Sequence, residues 1–210
     1  MPRPENRKAT WSRTLRVPLA MALAGGVMGS AEPPASAHFL DCDSGSGTNW
    51  AKWPDESATY SRPGTWQSWV RAGIDNAAIS INGNTDMTLS RVTSGAEIPI
   101  TGAAWGPGAA SGVTTMNYYL PGCDVWRAPI TLNTSFFAVY SGDKMQSLSI
   151  HEFGHATGQT RGGGASEVND GCTLRTIMQQ ADSCRWDTKG IKSLTETHDL
   201  SDYNTVYGPQ

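Results

Sequence analysis

The sequence predicts an α+β domain, and three observations predict it. A stretch of helical periodicity stands early, at residues 66–81. Short β-prone runs follow between residues 87 and 134, separated by Gly- and Pro-rich turns. A second helical stretch, residues 142–157, then leads into a loop-rich tail that ends in a third. Helices on either side of a block of strands, rather than alternating with them one for one, form the α+β pattern. With 210 residues, ordinary apolar content and no internal repeat, one core is expected.

The first 37 residues stand apart from that domain. Arg3, Arg7, Lys8, Arg13 and Arg16 precede an apolar run at residues 17–28, and Ala35, Ser36 and Ala37 close the segment with small side chains. A basic stretch, a short apolar stretch and a small-x-small site are the layout of a signal peptide. The apolar run is too short to span a bilayer comfortably. Export and cleavage after Ala37 are therefore expected, leaving residues 38–49 as an irregular segment and 50–210 as the folded domain. The leader holds five basic and two acidic side chains, so the rest is more acidic than the whole chain's net −3. No block of Lys or Arg remains there, which argues against nucleic acid or an anionic membrane as the main partner.

In the first helix Trp66, Val70, Ala77 and Ile81 share a face, with Trp69 and Ile74 beside it, Thr65 as cap and Asn82-Gly83-Asn84 as the stop. Strands are expected at residues 87–92, 97–100, 113–120 and 129–134. Residues 101–112 read as a long loop. The second helix should start from Ser141 with Asp143 in its first turn and end at Gly158. Met145, Leu148 and Ala156 line one side of it, and Glu152 is a charged misfit beside that stripe. The last helix, residues 198–207, takes Thr197 as cap, packs Leu200, Tyr203 and Tyr207, and stops at Gly208.

Four cysteines follow the leader, and an exported chain would use them as two disulfides. Three pairings are open. Cys172–Cys184 with Cys42–Cys123 is the expected one, because the first closes a compact loop stabilised by about 2–3 kcal/mol. No Cys-x-x-Cys spacing is present, which argues against a cysteine-based zinc or redox site.

The chemistry is concentrated in "HEFGH". On a helix His151 and His155 lie one turn apart on one face, so both imidazoles reach one ion. Glu152 stands next to that face, where it touches a water on the metal without ligating it. Zinc acidifies such a water and a neighbouring carboxylate takes its proton, so the chemistry needs His, Glu and His at this spacing. The competing reading is a surface helix with two solvated histidines. Chance alone gives the pattern in roughly a few chains per thousand.

"HEFGHATG" resembles the zinc-binding helix of the metzincin metalloproteases, in particular the matrixin-like and small secreted actinobacterial enzymes. "WPDESATY" is similar to their first strand, "TWQSWVRAGIDNAAISI" to their first long helix and "ITLNTSFF" to the strand before the active-site helix. "TIMQQ" resembles the Met-turn, and "LTETHDLSDYNTVYG" the closing helix. The resemblance spans about residues 50–207. It implies a zincin-like fold: a twisted, mostly parallel sheet with helices behind it, a Met-turn placing Met178 beneath the metal, and a cleft under an edge strand. It implies a secreted, monomeric Zn2+ endopeptidase with Glu152 as general base and His151 and His155 as ligands. Peptide substrates would add to the edge strand, for which residues 113–120 are the expectation, and residues 181–196 would set specificity. Val113 and Met116 also read as ordinary core contacts.

This chain departs from the family at the third ligand. Gly158 matches the H-x-x-G-x-x-H pattern, but the ligand position holds Arg161, which has no lone pair and stays cationic. Neither Thr160 nor Gly162 beside it is a convincing ligand. Three answers remain open. Glu167 or Asp170 completes the site after the glycine run at 162–164; two histidines and water hold the metal weakly; or the chain has lost zinc and is an inactive binding module on the old cleft. An intact Glu152 favours the first two. His198 reads most simply as a solvated or capping residue. His38, N-terminal after cleavage, reads as coincidence rather than a copper site. Cys42 lies outside the usual propeptide sequence, so no cysteine-switch latency is expected.

Overall fold

A computed structural model describes Ser12–Thr14, Cys42, residues 50–120 and 122–159, residues 176–178, Ser183–Thr188, residues 190–194 and Asp199–Tyr207. The order of elements is β1 (Ser12–Thr14), β2 (Ser57–Ser61), α1 (Ser68–Asn82), β3 (Thr88–Arg91), β4 (Ile98–Ala103), β5 (Gly112–Thr114), β6 (Asn117–Tyr119), β7 (Val125–Arg127), β8 (Ile130–Asn133), α2 (Gly142–Ala156) and α3 (Asp199–Tyr207). A five-stranded mixed sheet runs β3-β2-β4-β8-β5. Its first four strands are parallel and β5 is antiparallel to β8. A second sheet, β1-β6-β7, is wholly antiparallel.

Burial alternates along β2 and the first half of β4, as in a sheet with one covered face. Ala58, Tyr60, Leu89, Ile98, Ile100, Ile130 and Leu132 turn inward from the sheet to meet Val70, Ile74, Ala77 and Ile81 of α1. The ring of Tyr60 meets Phe153 of α2 edge-on at 5.4 Å between centroids. The two helices approach closely at Gly73, where an added Cβ would lie 2.9 Å from the Met145 side chain. That glycine is required by contact rather than by its dihedrals.

The helices lie close to their expected bounds, but α1 starts later. Its N-cap is Gln67, with no side-chain cap bond, in place of Thr65. The expected single strand at 113–120 is two strands in different sheets. The β5–β8 ladder ends where Thr115 N–H donates to Pro129 O, because Pro129 has no N–H to continue the pairing. The chain then turns to pair with β7, a strand the sequence reading lacked. Cys123, in the left-handed region at φ 61°, closes that hairpin and carries the expected disulfide to Cys42. Cys172 and the side chain of Cys184 lie outside the described residues. Ser12–Thr14, expected within the leader, pairs with Asn117–Tyr119.

One ion cluster ties β2 to α1. Asp75 accepts hydrogen bonds from Tyr60 Oη (2.9 Å), Arg62 Nε (2.9 Å) and Arg91 Nη1 (3.0 Å). Burial alone would raise its pKa, but the bonds from Arg62 and Tyr60 and the two guanidinium charges together hold it below the usual value. A depressed carboxylate stabilises the fold fully above its unfolded pKa, about 4, and loses that contribution as pH falls through the folded value. Asp75→Asn should therefore lose stability less steeply below about pH 4 than wild type, as read from urea midpoints across an acid series.

Candidate metal centre

Helix α2 carries the centre. Ser141 Oγ accepts from Lys144 N–H at 3.2 Å and Asp143 occupies the first turn, so cap and macrodipole fix where the helix starts. From Ser147 to Gly154 every residue is buried, a wider apolar contact than the single stripe expected. Most of its polar side chains are bonded, as where Ser149 Oγ donates to Met145 O at 2.8 Å, while Ser147 Oγ is buried with no partner among the described residues.

The rings of His151 and His155 lie 4.7 Å apart between centroids at 79°. His151 Nδ1 is 2.7 Å from Ile177 O and His155 Nδ1 is 3.0 Å from Gln159 O. A carbonyl only accepts, so each neutral ring carries its proton on Nδ1 and its lone pair on Nε2. Hydrogen bonds from the far ring nitrogen to a carbonyl orient metal-binding imidazoles.

Two devices place those carbonyls. Gly158, at φ 105°, reverses the chain after α2 and brings Gln159 O back to His155, a conformation that favours glycine. The residues around Ile177 are held by Asp199, fully buried at the start of α3. Its carboxylate accepts from Thr176 Oγ1 and from Ile177 N–H, both at 2.6 Å. Met178 is buried under α2, and a Cβ on Gly154 would fall 2.7 Å from its Sδ.

The C-terminal end of α2 is pinned from both ends of the domain. Trp53 Nε1 donates to Ala156 O at 3.0 Å and Tyr207 Oη donates to Thr157 O at 2.6 Å. Tyr203 Oη and Thr157 Oγ1 are 2.6 Å apart. Burial pushes the pKa of both tyrosines well up, so they remain neutral. Ser183–Thr188, inside the expected specificity segment, forms a π-helical turn, and Lys144 reaches Asp187 at 3.1 Å.

Glu152, only 3 % exposed, faces β5, where Thr114 Oγ1 stands 2.7 Å from Oε2. Of the residues expected as an edge strand, 113–120, only Val113 and Thr114 lie in β5, which stands last in its sheet among the described residues. Val113 is exposed there and Met116 packs partly buried against the core.

Among the described residues no three His, Cys, Asp or Glu side chains converge as a metal site. Arg161, Glu167, Asp170, His38 and His198 lie outside those residues, so the third donor is not placed. The two histidines fit zinc in donor type, in spacing and in the carbonyl bonds that hold their Nδ1 atoms. Sequence reasoning missed Asp199, Thr114 and Gly112. For Asp199 a signal existed: it stands four residues before Tyr203 and eight before Tyr207, an acid in line with the apolar stripe of α3, as Glu152 is on α2.

No family profile matches the chain, and no curated protein matches it in sequence. Two solved structures of myroilysin are similar to it. One is 24% identical over 53% of this chain and 52% of its own, with a TM-score of 0.37. The other is 22% identical over 64% and 59%, with a TM-score of 0.36. The matched region spans little more than half of either structure.

Proposed function

We propose that the protein is an exported zinc-dependent endopeptidase that cleaves extended peptides lying along β5. The observation that carries this reading is the pair of Nδ1–H bonds to Ile177 O and Gln159 O, which turn the lone pairs of His151 and His155 to Nε2 beside a buried Glu152. When bound, zinc supplies a Lewis acid that acidifies water and polarises the scissile carbonyl. His151 and His155 would hold it, with Glu167, Asp170 or water completing the site. Glu152 takes the proton of the attacking water and passes it to the leaving amine. Among the described strands β5 stands last in its sheet, the position at which an extended peptide would add. A basic leader ending at Ala37 supports export, and among the described residues no helix is long and apolar enough to cross a membrane.

The test is hydrolysis of an unfolded protein by the secreted chain, with and without a chelator. Activity lost on chelation and restored by stoichiometric zinc is expected, with a mature N-terminus at His38. Tight binding of the same protein without cleavage, unchanged by chelation, would favour the binding-module reading instead.

A further inference from the structure

We infer that Thr114 is a positioning residue that aims the Glu152 carboxylate, and that position 112 is glycine to make room for it. The inference rests on the endopeptidase reading and deepens it. On a strand, residues two apart share a face. Gly112 and Thr114 face α2 together, while Val113 points the other way and is 45% exposed. Their register is fixed by β8, with Gly112 opposite Leu132 and Thr114 opposite Ile130.

The carboxylate sits against that face. Thr114 Oγ1 donates to Glu152 Oε2 at 2.7 Å and lies 3.1 Å from Glu152 O, so its single proton ties β5 to the side chain and leans on the backbone of the same residue. A Cβ at Gly112 would fall inside van der Waals contact of Oε1 and 2.7 Å from Cδ. Gly112 has no positive φ to explain it, so close approach is the reason for glycine here. One oxygen is held by a hydroxyl and the other lies close to the Gly112 backbone. The strand that receives the peptide therefore also sets where the base stands, which places proton acceptor and scissile bond in one frame.

The test compares wild type, Thr114→Val, Thr114→Ser, Gly112→Ala and Glu152→Gln as secreted proteins, with kcat, KM and zinc content measured for each. Thr114→Val keeps the shape and removes the donor. It should lower kcat by about 10- to 100-fold, the scale of a misplaced catalytic group, with KM and zinc content within about twofold of wild type. Thr114→Ser should recover most of that kcat, which a purely structural role for the threonine would not require. Gly112→Ala should lower kcat in the same way. Activity abolished in Glu152→Gln but fully kept in Thr114→Val would overturn the positioning role alone. Loss in Thr114→Val that tracks loss of zinc, or that Thr114→Ser does not recover, would also overturn it. Equal hydrolysis by wild type and Glu152→Gln would instead sink the endopeptidase reading, and the positioning role with it.

Discussion

Glu152→Gln should lower kcat by about 10²- to 10⁴-fold, the usual contribution of a positioned general base, while zinc content and thermal midpoint stay near wild type. The substitution is close to isosteric, which matters at a site this tightly closed. The amide oxygen still accepts from Thr114 Oγ1, and the amide nitrogen takes the place against Gly112 that the carboxylate leaves. Both of these contacts therefore survive, and the histidines keep their bonds to Ile177 O and Gln159 O. What disappears is the ability to accept a proton. Steady-state hydrolysis of a fluorogenic peptide library, beside elemental zinc content, separates the two losses. A variant that drops zinc along with activity would mean that Glu152 supports the metal site rather than the proton transfer.

The second large effect belongs to Asp199, which reaches the centre only through the chain it holds. Asp199→Ala leaves Thr176 Oγ1 and Ile177 N–H as buried donors with their acceptor removed. That should cost about 2–5 kcal/mol, since each stranded group carries its desolvation penalty and the lost acceptor is a carboxylate. The consequence extends to His151, because the carbonyl that accepts its Nδ1–H belongs to Ile177. Loss of such outer-shell bonds typically weakens metal binding by about 10- to 100-fold. Denaturant unfolding with and without excess zinc, together with zinc affinity by competition with a chelating dye, would read both. A stable variant that binds zinc as tightly as wild type would break the chain of reasoning from α3 through Ile177 to the histidine.

The two acids also show what the sequence could carry. Helix α2 was legible almost in full, because Ser141, Asp143, the apolar spacing and Gly158 all mark the same element. Glu152 stood out as a charge beside an apolar stripe, and its burial against Thr114 is the reason. Asp199 gave the same signal on α3 but beside His198, where a helix start offers an ordinary explanation for any acid. The break between β5 and β6 was hidden, because residues 113–120 are β-prone without interruption. What splits them is Pro129, far along the chain on the partner strand. Strand β7 is three residues long after a turn, too short for any periodicity to register. The carbonyls of Ile177 and Gln159 had no sequence signal at all, since any residue supplies one. Their placement depends on Asp199 and on the reversal at Gly158.

The central claim is that His151 and His155 hold zinc, with Asp170, Glu167 or water as the further donor. Zinc content of the disulfide-intact protein by elemental mass spectrometry tests it most directly, on wild type, His151→Ala and Asp170→Ala in parallel. Near-stoichiometric zinc in wild type, lost in His151→Ala, is the expected result. Loss in Asp170→Ala as well would name the third ligand, and retention there would leave Glu167 or water in that place. Wild type refolded with zinc present and still holding none would contradict the account.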